Sequence, residues 1–182
     1  MKYDYVWHKN LYTIEECQSL KKLCTENVNT LVEDKKAEGV KKTANVGSFA
    51  LGSLRSELEK FNQTIISINR NSFGLDVFET CDQEYLNLNV YNWVNKGEYS
   101  WHSDKVLNEP YDIKLTAILN LGTEEFIGGN FELFLNEPIT IKEINEPGTL
   151  LVFPSFIQHR VTPVTSGERV TISRWVNGPT YK

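Results

Sequence analysis

Apolar positions change their period part-way along the chain. Ile14, Cys17, Leu20, Cys24, Val28 and Leu31 recur at steps of three and four, the spacing that lines up a buried stripe on an α-helix. Just ahead of them stands Thr13-Ile-Glu-Glu16, a capping box whose hydroxyl and carboxylate satisfy unpaired N–H groups of a first helical turn. The pattern predicts a helix ending near Glu33. A second stripe, Leu54, Leu58, Phe61, Ile65 and Ile68, predicts a helix from about Ser53 to Ile68, ended by Asn69 to Gly74. Residues 4–12 form a short strand-like entry, and Lys35 to Lys42 read as a charged, solvated loop.

From residue 75 onward the period becomes two. Tyr85 to Trp93 alternates an apolar face of Leu86, Leu88 and Val90 with a polar and aromatic face of Asn87, Asn89 and Tyr91. Lys114 to Leu121 repeats this with Leu115, Ala117 and Leu119. Further strand-like runs are Asn130 to Leu135, Ile139 to Ile144, Thr149 to Phe153, Gln158 to Val161 and Arg169 to Trp175. Turn signals such as Lys96-Gly97, Gly128-Gly129, Glu146-Pro-Gly148 and Ser166-Gly167 separate them. Many short strands after two amphipathic helices predict an all-β core with flanking helices (α+β). The expected architecture is a double-stranded β-helix, the cupin-like jelly roll, with the two N-terminal helices packed on one sheet. Residues 1–182 are expected to form one domain, with helical support over 12–74 and the jelly-roll core over 80–177.

Composition narrows the class. A formal net charge of −5 argues against broad nucleic-acid binding. The start lacks the apolar run of a signal peptide and no stretch approaches a membrane span, so a cytoplasmic protein without a membrane partner is expected. Cys17, Cys24 and Cys81 are odd in number and unclustered, and read as reduced thiols. A small domain with an exposed jelly-roll mouth can act as a monomer.

Candidate chemistry gathers at Tyr91-Asn-Trp-Val-Asn-Lys-Gly-Glu-Tyr-Ser-Trp-His102-Ser-Asp104. In an extended segment, positions two apart project from one face, so His102 and Asp104 can grip one ion together. His159 lies in a later strand-like run, and two imidazoles with one carboxylate form a facial triad with open positions for other ligands. The ligand types suit Fe(II), Mn(II), Co(II), Ni(II) or Zn(II), while the cysteine and histidine sets of structural zinc are absent. His8 reads as a surface or packing residue. Ten residues past His159, Arg169 opens a strand whose same-face partners are Thr171, Ser173 and Trp175. Its planar guanidinium suits a bidentate grip on a carboxylate, although an outward salt bridge is the blander reading.

These residues resemble the Fe(II)- and 2-oxoglutarate-dependent dioxygenases, and within them the prolyl 4-hydroxylase-like branch. The family carries His-x-Asp, a distal His, and a Lys or Arg about ten residues later, matched by His102-Ser-Asp104, His159 and Arg169. Also similar are the tyrosines Tyr91 and Tyr99, the Phe126-Ile-Gly-Gly-Asn130 turn, and Gly148-Thr-Leu-Leu-Val-Phe-Pro154. The resemblance implies iron on His102, Asp104 and His159. It implies 2-oxoglutarate chelating that iron with its distal carboxylate on Arg169, helped by Thr171, Tyr99 or Tyr91. O2 is the oxidant and ascorbate an expected reductant. Counted without a gap, the family's lead-in tyrosine falls at Trp93 rather than Tyr91. The anchor is Arg where collagen-type relatives have Lys. Nucleobase demethylation is disfavoured, because Arg174 lies five residues past the anchor and its odd spacing turns it to the opposite face.

The implied activity is hydroxylation of an unactivated C–H, with a prolyl residue in a peptide or protein as first choice. Another residue, a small metabolite, or a non-catalytic cupin-like metal protein are the alternatives. Asn89, Tyr91 and either Thr116 or Leu119 are expected to line the pocket. Trp93, Trp101 and Trp175 are read as packing or rim, with residues 94–98 and 104–112 as lips of a substrate groove.

Overall fold

The computed structural model describes residues 2–28, 31–33, 40–104 and 110–180. Strand β1 (Val6–His8) leads to helix α1 (Ile14–Asn27), strands β2 (Val32–Glu33) and β3 (Asn45–Ala50), and helix α2 (Glu59–Ile68). The strands that follow are β4 (Tyr85–Asn92), β5 (Tyr99–His102), β6 (Asp112–Asn120), β7 (Ile127–Gly128) and β8 (Phe131–Leu135). Then come β9 (Glu137–Thr140), β10 (Leu150–Pro154), β11 (His159–Val161), β12 (Val164–Ser166) and β13 (Glu168–Gly178).

Seven strands form a major sheet in the order β1-β10-β6-β13-β4-β3-β2, and four form a minor sheet in the order β5-β11-β8-β9. The alternation along β4, β6 and β13 decides which side faces what. Leu86, Leu88, Leu115, Leu119 and Ile172 pack with Cys17, Leu20, Phe61 and Ile65, so both helices cover the outer face of the major sheet. The opposite face meets the minor sheet through a second core that includes Ile118, Phe131, Leu133, Phe153 and Val161. The expected double-stranded β-helix with two helices on one sheet is the architecture observed.

The N-terminal stretch departs from expectation in three ways. The capping box forms, with Glu16 N donating to Thr13 Oγ1 at 3.2 Å and Thr13 N to Glu16 Oε2 at 2.7 Å. Yet α1 stops at Asn27 rather than near Glu33, because Val28 turns extended (φ −80°, ψ 133°) and the chain crosses onto β3. Gly47 permits that crossing, since a Cβ there would lie 2.8 Å from Val28 Cβ. The second helix is also shorter than Ser53–Ile68. A 3-10 turn at Leu51–Leu54 leaves the sheet, and the α-helix begins at Glu59, although Leu54 and Leu58 of the stripe are both buried. The supposedly helical region over 12–74 thus contains strand β3, which pairs with β4 from Asn45↔Val90 to Ala50↔Tyr85. The run expected over Ile139–Ile144 is a strand at Glu137–Thr140 and then a 3-10 turn at Lys142–Asn145, which buries Ile144. Most of the charged Lys35–Lys42 loop lies outside the described residues.

Arg174 points to the helical side, as its odd spacing from Arg169 requires, and is 1 % exposed. Its Nε and Nη2 donate to Glu84 Oε2 at 3.0 and 2.6 Å, Nη1 to Asn62 at 3.0 Å, and Nη2 also to Thr80 at 2.9 Å. One guanidinium therefore joins β13 to α2 and to the segment entering β4. Breaking a buried ion pair on one side typically costs about 3–5 kcal/mol. Arg174→Met is expected to lower the urea midpoint accordingly, and the Arg174→Met, Glu84→Leu double variant to recover most of the loss.

Candidate metal and co-substrate site

His102 and His159 meet because β5 and β11 are antiparallel neighbours in which these two residues are direct cross-strand partners. Their ring centroids lie 4.1 Å apart, and Phe153 packs edge-on against His159 at 4.9 Å. Each ring is held by its own backbone. His102 Nδ1 lies 2.8 Å from Ser100 O, and His159 Nδ1 lies 3.1 Å from Ile157 O. A carbonyl can only accept, so each Nδ1 carries the proton and each Nε2 is the nitrogen with the lone pair.

Asp104 follows β5, its N–H bonded to Ser155 O at 3.0 Å. Its Oδ1 lies 3.8 Å from His102 Nε2 and its Oδ2 3.5 Å from His159 Nε2. Thr116 Oγ1 donates to Oδ2 at 2.6 Å, which orients the carboxylate. The three ligand atoms all lie within 4.8 Å of one another. Two neutral imidazoles and a carboxylate on one side, with room opposite, fit a divalent first-row metal that keeps open positions. His8 is exposed on β1, apart from this group.

The cavity extends from the triad along β13. Arg169, Thr171, Ser173 and Trp175 alternate onto its wall, while Val170, Ile172 and Val176 enter the core beneath the helices. Arg169 is 2 % exposed and lies 5.6 Å from the Tyr91 ring centroid and 6.0 Å from that of Phe131. Its Nη2 is buried without a hydrogen-bond partner. Burial pulls its pKa below the ordinary arginine value and Tyr91 opposes the shift. An arginine stays charged in proteins, so the pocket holds a desolvated cation whose orphaned donor suits an anion. The turn before β8 makes space for it: a Cβ on Gly129 (φ 59°) would lie 3.3 Å from Arg169 Cδ.

The structure brings His102, Asp104, His159, Arg169, Thr171, Tyr91 and Tyr99 to this cavity. Tyr91 sits opposite Arg169 across the β4–β13 pair and is 4 % exposed, whereas Trp93 is 54 % exposed outside it. Thr171 is buried on the wall. Tyr99 also lines the cavity, where its ring stacks on His102 at 3.4 Å and 15°. Thr116 faces the cavity and Leu119 the helices. Trp101 packs against Phe134 and beneath Arg160, away from the triad. Of the expected groove lips, residues 105–109 lie outside the described residues.

Lys42 was not anticipated. It is 8 % exposed, pairs by an isolated bridge with Tyr99, and sets its Nζ 4.6 Å from that ring in the cavity wall. Two adjacent lysines look alike in sequence. Pairing with β5 separates them, turning Lys41 outward onto Glu98 and Lys42 inward. Thr116 carried no metal-related signal either, since its hydroxyl meets Asp104 only because β6 brings it beside that carboxylate.

A double-stranded β-helix with a His/Asp/His triad between its sheets and a buried arginine on the wall defines the non-haem iron oxygenase class. Residues 86–177 match the 2OG-Fe(II) oxygenase superfamily, and the chain belongs to it. It is 31 % identical over 104 residues to a PKHD-type hydroxylase of Parvibaculum lavamentivorans, a match covering 56 % of this chain and 47 % of the relative. The match thus spans about half the length of that relative. A prolyl-4-hydroxylase of Pseudomonas putida superposes with TM-score 0.73 at 17 % identity, covering 98 % of this chain and 94 % of the other. A Trichoplax adhaerens prolyl hydroxylase, solved with a hypoxia inducible factor peptide fragment, gives 0.71 at 16 %, covering 95 % and 83 %. The His102, Asp104 and His159 cluster supplies the donor set that this superfamily of Fe(II) oxygenases requires.

Replacing His159 by Ala is expected to abolish Mn(II) binding in calorimetry. Thr116→Val keeps the side-chain volume but frees the carboxylate, and metal affinity is expected to fall about ten- to a hundredfold.

Proposed function

We propose that this enzyme hydroxylates a prolyl residue of a peptide or protein. His102, Asp104 and His159 hold the ferrous ion, whose chemistry with 2-oxoglutarate and O2 supplies the oxidising power. Arg169 takes the distal carboxylate of 2-oxoglutarate, helped by Thr171, Tyr99 or Tyr91, which line the same cavity. The observation that carries the co-substrate assignment is the buried guanidinium with an orphaned Nη2, in the same cavity as the triad. A charged, desolvated donor is costly unless a ligand completes it, and a dicarboxylate reaching from there to the metal does so.

The prolyl reading draws support from the superposed prolyl hydroxylases, one of them captured with a peptide. Among the described residues no helix is long and apolar enough to cross a membrane. Arg174, which follows the anchor by five residues, is committed to Glu84 on the other side of the sheet, which counts against nucleobase demethylation. Free thiols at Cys17, Cys24 and Cys81 support a reducing, cytoplasmic setting. Ascorbate would supply the reducing equivalents that keep bound iron ferrous.

Arg169→Ala is expected to weaken 2-oxoglutarate binding to the Mn(II)-loaded protein about tenfold or more, because a charge-assisted hydrogen bond contributes roughly 1.5–3 kcal/mol. An unchanged affinity refutes the anchor. For the substrate, the protein is incubated with Fe(II), ascorbate, 2-oxoglutarate and a proline-containing peptide library. Mass spectrometry should find peptides heavier by one oxygen atom, with fragmentation placing it on proline. Turnover confined to small metabolites in a cell extract overturns the prolyl assignment.

A further inference from the structure

On the helical side of the major sheet, across it from the metal, α1 and α2 leave a groove of about 560 Å³ between them. Each wall is one stripe of a helix. Glu16, Ser19, Leu20 and Leu23 follow at steps of about one turn on α1, and Lys60 and Gln63 face them from α2. The floor is apolar, with Tyr12 and Leu20 buried and Leu23 half-buried. Lys60 ties the two walls together at the start of α1. Its ammonium donates to both oxygens of Glu16 at 2.8 Å and stands 4.0 Å from the Tyr12 ring centroid.

The rest of the rim is acidic. Glu15, Glu57 and Glu59 line it and form no ion pair among the described residues. Glu57 accepts from Ser56 Oγ at 2.7 Å and Glu59 from Gln63 Nε2 at 2.6 Å, both neutral donors, so their charges stand uncompensated. The neighbouring Arg55 is committed to Asp82. The Ser56 bond also holds the Glu57 pKa below the ordinary glutamate value, which keeps that carboxylate ionised at neutral pH.

Two parallel ridges of side chains with a trough between them seat a third helix, and the volume is in the range of grooves that enclose ligands. From Glu16 to Leu23 the seat runs roughly 10 Å at ~1.5 Å per residue, about two helical turns, enough for two apolar anchors. Charge then selects the occupant. Three uncompensated carboxylates on a chain of net charge −5 repel anionic lipid, nucleic acid and a second copy of the same chain. We infer that the α1–α2 groove docks a basic amphipathic helix of another protein. Its apolar anchors rest on Leu20 and Leu23, and its lysines or arginines stand beside Glu15, Glu57 and Glu59. Docking there leaves the metal cavity open on the opposite face of the sheet, whatever its substrate.

The test titrates full-length protein with three synthetic peptides of equal length. The first carries leucines at i, i+3, i+4 and i+7 with lysines elsewhere. The second replaces its lysines by glutamate, and the third replaces its leucines by serine. Amide shifts of nitrogen-15-labelled protein locate binding, and calorimetry measures it. The leucine–lysine peptide is expected to shift amides of α1 and α2, to weaken with added salt, and to bind at least about tenfold more tightly than the other two. Reversing two exposed rim charges together, Glu57→Lys and Glu59→Lys, is expected to weaken it about tenfold or more. Leu23→Ser is expected to weaken it about three- to tenfold. Mn(II) binding at the triad stays unchanged in both variants and reports that they are folded. Equal binding of the serine peptide reduces the groove to a non-specific acidic surface and overturns the inference. So does unchanged affinity in the charge-reversed protein, or a set of shifts centred outside α1 and α2. A dimer in sedimentation equilibrium that Leu23→Ser dissociates assigns the groove to a second copy and overturns it as well.

Discussion

Strand β13 carries two buried guanidinium groups on opposite faces, and their different fates organise the molecule. Arg174 faces the helices and is satisfied by Glu84, Asn62 and Thr80. Arg169 faces the other sheet and retains an unpartnered nitrogen. Pairing with β4 on one side and β6 on the other holds the strand so that neither side chain can rotate to water. A desolvated charge is costly without partners, and the first arginine finds them within the fold while the second keeps a donor that suits an anion. The same strand thus separates a structural half from a reactive half within one pleat.

The metal triad depends on antiparallel geometry in the same way. His102 and His159 are far apart in the chain but directly opposite across β5 and β11, and each ring is oriented by a carbonyl two residues before it. Asp104 lies beyond the strand end and needs outside support, which Ser155 O gives to its N–H and Thr116 gives to its carboxylate. Residues from the minor sheet supply the imidazoles, and residues from the major sheet steady the carboxylate and carry Arg169. Neither sheet alone contains a site.

Much of this was legible before folding. The two-residue period from Tyr85 placed Asn89 and Tyr91 on one face and Leu86 and Leu88 on the other, which is the division between cavity and core. The stripes Cys17-Leu20-Cys24 and Phe61-Ile65-Ile68 found the helical faces even where the helix ends were misjudged. Strand β3 escaped because Asn45-Val-Gly-Ser-Phe-Ala50 has no clean alternation; it is a strand because β4 offers it an edge. Helix α1 ends early for a related reason, as the chain after Val28 gains more from lying on β3 than from another helical turn. Tyr91 and Trp93 could be told apart only once the turn after β4 left one facing Arg169 and the other exposed.

By itself the sequence determined which residue types could ligate a metal, which faces were apolar, and that the odd step from Arg169 to Arg174 must point them apart. These follow from local chemistry and from the fixed periods of helix and strand, and need no partner. Tertiary structure alone decided that Lys42 enters the cavity while Lys41 leaves it, that Thr116 holds Asp104, and that the Trp175 N–H is left without an acceptor. Each of those depends on what a second, distant segment places opposite. A one-residue change of register exchanges the faces of a strand, and register is set by packing between sheets rather than by the residues of the strand itself.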